Sequence, residues 1–349
     1  MRWGREFGRP GGLLVIAALF LLAFQVAAAA TPPTAPFVYE KQYAMGTVYE
    51  IVAYSPCLDR ASRAIDAAFR EIVTLDHVMS NYDPQSDLSR LDRTARFQVV
   101  RVPPDLFRVI KASLVYARLS GGKYDVTIAP LVDAWKSAMQ DGKPPSAAAI
   151  DRLRACVGYQ KVELIPPDSI ELHSPCMSID LGSIGKGYAV DRAVEILRSY
   201  GIRNALINAG GSTLYGMGAP PGKVGWSIRL LDPSGHVEPE VTLHDDSVST
   251  SGQEKTSMIQ GGKFGHIIDP ATAKPLRSDF AVSVVTKTAT ATDGLSTMLF
   301  LLGPKAGSPI VRAIPDTAAL WVSPSGETRM ISTGPEIATH RLQRASRQK

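Results

Sequence analysis

Cysteine is scarce in this chain and net charge is small. Of 349 residues three are cysteine, Cys57, Cys156 and Cys176, and the formal charge is +5. No C-x-x-C or Cys/His spacing points to zinc. Three Arg and one Glu fall within residues 1–30, so the remainder carries about +3. That is too little for a nucleic-acid-binding surface. After the N-terminal segment, no run is apolar and long enough to span a bilayer. Internal repeats are missing, as are a Ser–His–Asp signature and a paired-carboxylate glycosidase pattern. The glycine-rich stretch "IDLGSIGKGYAVDRAV" fits neither the Rossmann G-x-G-x-x-G nor the P-loop G-x-x-x-x-G-K-[ST].

What is present begins with a leader. Arg2, Arg5 and Arg9 precede the apolar run Leu13 to Val26, and Ala28-Ala29-Ala30 offers a small-residue cleavage site. The pattern is that of a secretory signal peptide. An uncleaved inner-membrane anchor is the rival, and the closing alanines favour cleavage. Export implies an oxidising compartment, in which Cys156 and Cys176 could bridge and leave Cys57 over.

Ample length for a large core is spread over helices and strands that mix without a regular βαβ repeat, which points to an α+β fold. Residues 37–54 alternate as strand around Gly46. Helical spacing runs over Arg60 to Met79, Pro104 to Leu119, from Pro130, over Lys186 to Tyr200, and over Thr290 to Leu302, closed by Gly303-Pro304. Residues 141–176 read as irregular with a small helix near 147–156. Ser178–Leu181 reads as a short strand. Further strands are expected at Trp226–Leu231 with Val241–Leu243, at Phe280–Thr286, and at Ala318–Val322 with Arg329–Ile331.

Three constellations carry chemistry. In the glycine-rich stretch, Asp180 ends an extended segment, Ser183 sits in the loop and Lys186 opens a helix. A glycine loop at a helix N-terminus suits phosphate; the plain alternative is that the glycines serve only the turn. In "TATATDGLSTMLF", Asp293, Ser296 and Thr297 fall at i, i+3 and i+4, and such oxygen ligands suit Mg²⁺. The plain alternative is a capped helix with self-bonded hydroxyls. In "GHIIDP", His266 is a candidate general base, while Asp269-Pro270 reads as a turn.

These pieces stand in one order with "AMGTVYEI", "SNYDPQSDLSRL", "GGKYDVTIAPLVDAW", "LINAGGS" and "STSGQ". In that order the chain resembles the ApbE family, the FAD:protein FMN transferases. The resemblance implies mixed and antiparallel sheets with packed helices in two intimately packed subdomains. The expected division is a signal peptide at 1–30, a linker at 31–40, the transferase domain at 41–335 and a disordered basic tail at 336–349. It further implies a periplasmic, Mg²⁺-dependent transfer of FMN from FAD to a Thr or Ser of a partner protein, with release of AMP. The partner would be a membrane redox-complex subunit carrying a D-x-x-[ST]-G-A-T-like motif. By position, Met45, Tyr82, Lys123, Tyr124, Asp125, Asp180, Lys186 and Ile268 would contact FAD. Ser183 (through its carbonyl), Asp293, Ser296 and Thr297 would hold the metal, and His266 with Lys186 would serve catalysis. Ser212, Glu254 and Ala273 depart from the family pattern. An FAD pyrophosphatase using water, and a non-catalytic flavin carrier, are the alternatives.

Overall fold

The computed structural model describes residues 35–252, 257–259, 262–264, 267–276 and 280–341. The leader, His266, Glu254 and Lys255 lie outside them. Strands β1 (Phe37–Ala44) and β2 (Thr47–Tyr54) form a hairpin, with Ala44 opposite Thr47. The turn is Met45-Gly46, at φ 48° and 74°. Two successive positive φ values match the twist of the flanking strands, and glycine takes the second at no steric cost.

Helices α1 (Leu58–Met79) and α2 (Asp87–Thr94) follow, then β3 (Val100–Arg101), α3 (Pro104–Leu119), α4 (Ala129–Asp141) and α5 (Ala147–Arg154). Next come β4 (Val162–Ile165), β5 (Ser169–Leu172), α6 (Gly185–Ser199), β6 (Asn204–Ala209), β7 (Thr213–Met217), β8 (Trp226–Arg229), β9 (Val237–Leu243) and β10 (Asp246–Ser251). Two short hairpins, β11 (Ser257–Ile259) with β12 (Gly262–Phe264) and β13 (Ile268–Asp269) with β14 (Lys274–Pro275), lead to β15 (Ala281–Thr286). Helix α7 (Ala289–Ala313) precedes β16 (Ala318–Val322), β17 (Thr328–Ser332) and β18 (Ala338–Arg341).

One eight-stranded sheet, ordered β1-β2-β6-β7-β10-β15-β16-β17, organises the molecule. Every ladder in it is antiparallel. Strands β15 and β16 are buried at every position because both faces are covered. Alternation decides which side each residue serves. Val282, Val284, Ala319 and Trp321 join the core under the helices. Val285, Ala318, Leu320 and Val322 join a second core with Trp226, Val241 and Leu243 from the three-stranded sheet β18-β9-β8. Helices α6 and α7 pack on each other, α6 also on α1, and α7 on β10 and β15.

Several expected elements differ. Residues 177–181 form no ladder; the Asp180 N–H donates to Val126 O at 2.7 Å instead. Residues 162–172, expected to be irregular, hold the β4–β5 hairpin. Gly303, at φ 70°, only kinks α7, which resumes through Pro304 to Ala313. The strand β1 begins inside the expected linker, and Ala338–Arg341 of the expected tail pairs with β9. The alternation from residue 37 already marks β1 as strand, whereas Ala338–Arg341 pairs because β9 has an open edge beside it, which local sequence does not report. Cys156 and Cys176 form a disulfide, and Cys57 is free and exposed.

Candidate active site

A cavity of about 860 Å³ opens between the N-terminal ends of α6 and α7, the strand β10, the segment after β8 and the wall from α4. This is in the upper part of the roughly 300–1,000 Å³ range of ligand sites. Its lining includes Tyr82, Tyr124, Asp125, Asp180, Ser183, Lys186, Ile268, Asp293 and Thr297.

At its base is Asp293, 4% exposed. Its Oδ2 accepts from the Gly187 N–H at 2.9 Å and its Oδ1 from Thr213 Oγ1 at 3.2 Å. Among the described residues these partners are one amide and one hydroxyl, with no cation. The close approach of α6 to α7 requires glycine at 187, since a Cβ there would stand 2.1 Å from Ala289 O. Asp191 on α6 ties the helices together, accepting from the Ala289 and Thr290 N–H groups at 2.7 and 2.8 Å. Burial pushes the Asp191 carboxyl above the usual range, opposed by the hydrogen bonds from Thr290 and Ala289.

Hydroxyls surround the carboxylate. On one face of β10, Ser247, Ser249 and Ser251 meet α7: Ser247 Oγ lies 2.9 Å from Thr292 Oγ1, and Ser249 Oγ 3.2 Å from Ser296 Oγ. Ser251 Oγ lies 2.9 Å from Ser296 Oγ and 3.3 Å from Thr297 Oγ1. A buried carboxylate whose partners among the described residues are neutral oxygen and amide groups fits a hard divalent cation such as Mg²⁺ better than a thiol- or imidazole-seeking metal.

The loop before α6 forms another wall of the cavity. Asp180 Oδ1 accepts from the Gly182 N–H at 2.7 Å, and Lys186 Nζ donates to Gly182 O at 3.1 Å. The Ser183 hydroxyl donates to the Tyr124 oxygen at 2.9 Å, which leaves its carbonyl as the group free to face a ligand. Burial raises the Tyr124 phenol far above its ordinary value. Asp125 is a brace: it accepts from Thr127 N, Thr127 Oγ1 and Tyr159 N at 2.7–2.9 Å. Burial raises its pKa against those hydrogen bonds.

Not every expected residue reaches the cavity. Met45 is in the hairpin turn, its N–H donating to Asp76 Oδ2 at 2.8 Å. Lys123 is engaged with Asp269, 3.0 Å from both carboxylate oxygens. Neither lines the cavity, and neither does Ser296, which is fully buried and donates to Asp293 O at 3.0 Å. A step of three residues turns Ser296 toward β10, whereas a step of four returns Thr297 to the Asp293 side. The candidate base His266 lies outside the described residues.

Comparison with known proteins gives this arrangement its family. The ApbE family model matches residues 45–321, most of the chain. The chain belongs to the ApbE family. It is 28% identical over 308 residues to the FAD:protein FMN transferase of Treponema pallidum, covering 82% of this chain and 84% of that protein. The flavin transferase ApbE of Vibrio cholerae superposes with a TM-score of 0.76 at 26% identity, over 86% of this chain and 98% of that one. The ApbE protein of Thermotoga maritima gives 0.75 at 27%, over 84% and 96%. These ApbE structures share the α+β architecture described above.

Residue-level reading of this ApbE chain missed Thr213, Ser249 and Lys136. Ser249 had a signal: serine at every second position of β10, pointing into a core, is unusual company for a buried helix. Thr213 and Lys136 had none, because their partners lie 80 and 54 residues away.

Proposed function

We propose that this chain transfers FMN from FAD to a Thr or Ser hydroxyl of an acceptor protein through a phosphoester, releasing AMP. The observation that carries the reading is the Asp293 niche: a buried carboxylate among hydroxyls, in one cavity with Lys186 and the glycine loop. Asp293, Thr297 and the Ser183 carbonyl would hold Mg²⁺. The bound ion would neutralise charge gathering on the pyrophosphate oxygens.

The chain's own groups then position and neutralise. Lys186 and the loop amides hold the pyrophosphate, and Asp180 fixes the loop through Gly182. Tyr82, which is exposed, offers aromatic surface to a ring of FAD, whereas Tyr124 is buried and holds the loop through Ser183. The acceptor oxygen bonds to the FMN phosphorus as the bond from that phosphorus to the bridging oxygen breaks, and AMP leaves with the electron pair. The hydroxyl proton passes to a base, a role assigned to His266 on sequence alone.

The same reading places the mature enzyme in the periplasm after loss of residues 1–30. The Cys156–Cys176 bridge supports an oxidising compartment. The acceptor would be a membrane redox subunit with a D-x-x-[ST]-G-A-T-like segment. The test supplies FAD, Mg²⁺ and a protein carrying that segment. A fluorescent acceptor band on a denaturing gel, with AMP in solution and both lost in EDTA, is expected. AMP without any labelled acceptor would favour hydrolysis by water, and bound FAD without AMP would favour a carrier.

A further inference from the structure

Tyr82 stands at the cavity mouth and is 77% exposed. Its backbone is fixed by a turn in which the Tyr82 and Asp83 N–H groups donate to Ser80 Oγ at 3.2 and 3.1 Å. Its side chain is tied at the tip, where Lys136 Nζ from α4 donates to the phenol oxygen at 2.6 Å. The same ammonium lies 4.7 Å from the ring centroid. An ammonium stacked on the face would not be so much nearer the oxygen than the centroid. The contact is therefore a hydrogen bond at the ring edge, and it leaves the faces of the ring uncovered by the cation.

An exposed tyrosine held at one point loses rotamer freedom before any ligand arrives. Ordering done in advance is not charged against binding. Lys136 lines the same cavity. Burial lowers its pKa, but the Tyr82 hydrogen bond and the nearby Asp180 and Asp133 outweigh this, so it remains an ammonium.

We infer that Lys136 is a positioning residue for the transferase: it fixes Tyr82 as an aromatic platform on which a ring system of FAD stacks. This rests on the FAD reading above. The test is calorimetric titration of FAD into the full chain in EDTA, which prevents turnover, with thermal unfolding as the check on folding. The variants are Lys136→Met, Tyr82→Phe, the double variant, Lys136→Arg and Tyr82→Leu. Met and Phe should each weaken binding roughly five-fold, and the double variant no further, because both remove one tie. Lys136→Arg, which can still donate to the phenol, should bind like the wild type, and Tyr82→Leu should lose more than Phe. Additive losses would mean that Lys136 touches FAD itself and would overturn the inference, as would unchanged binding in Lys136→Met. Those results leave the FAD reading standing. Absence of FAD binding by the folded wild-type chain overturns that reading and the inference together.

Discussion

Replacing Asp293 with asparagine should abolish AMP release while leaving the fold nearly as stable, whereas alanine should damage both. The difference follows from what the carboxylate does without a metal. It satisfies the buried Gly187 N–H at 2.9 Å and accepts from Thr213 at 3.2 Å. Alanine orphans the amide, at a cost of about 1–3 kcal/mol, while Thr213 keeps Ser249 Oγ at 3.0 Å. About 2 kcal/mol, at roughly 2–4 °C per kcal/mol for large domains, lowers Tm by about 5 °C. Asparagine keeps an acceptor oxygen for Gly187, and its amide can donate to the hydroxyl, so the loss should stay below about 1 kcal/mol. Both variants remove the negative charge. In the wild type, Mg²⁺ at a hundred times its Kd should add about 2.7 kcal/mol of stability, and in Asp293→Asn none. Scanning calorimetry with and without Mg²⁺, alongside AMP chromatography, reads both quantities. Wild-type AMP release by Asp293→Asn, or an unchanged Mg²⁺-dependent rise in Tm, would refute the metal role.

Three further outcomes can be measured. Gly187→Ala places a Cβ 2.1 Å from Ala289 O, so the α6–α7 contact must open; a loss of about 3 kcal/mol and of AMP release is expected by calorimetry and turnover. Cys156 and Cys176 are 20 residues apart, so replacing both with serine should cost up to about 3 kcal/mol. FAD affinity should fall with it, because Cys176 stands four residues before Asp180; an unchanged melting temperature under reducing conditions would argue against a stabilising role for the disulfide. Asp92, whose oxygens accept from the Ile179 N–H at 3.1 and 3.3 Å, is pushed up to about 7 by burial, against that hydrogen bond and the nearby Arg96 and Arg93. The folded state then holds a proton that the unfolded state releases above about pH 4. The stability this proton contributes is complete below about pH 4 and is lost as pH rises toward 7. Asp92→Asn, which cannot titrate, should therefore gain on the wild type as urea melts move from pH 5 to pH 8.

Elements whose pattern is local were legible in the amino-acid order. The helical spacing of Ala64, Ala68, Ile72 and Leu75 became the buried face of α1, and "AMGT" became a two-residue hairpin turn. The motif order was enough to name the family. The residues Asp180, Ser183, Lys186, Asp293 and Thr297 that those motifs single out all line one cavity, and the packing of α6 on α7 is what brings them there. The remainder depends on pairings between distant segments. Residues 162–172 are strands because β4 and β5 find each other and β3, and Ala338–Arg341 is a strand because β9 has an open edge. Ala273 holds φ 53° without being glycine, and its carbonyl accepts from Trp135 Nε1 at 2.8 Å, a contact across 138 residues. Lys123 looked available for a ligand, yet Asp269 takes it, and Ser296 faces β10 rather than the cavity. A side chain's partner is set by which elements the fold lays side by side, and backbone periodicity carries no information about that.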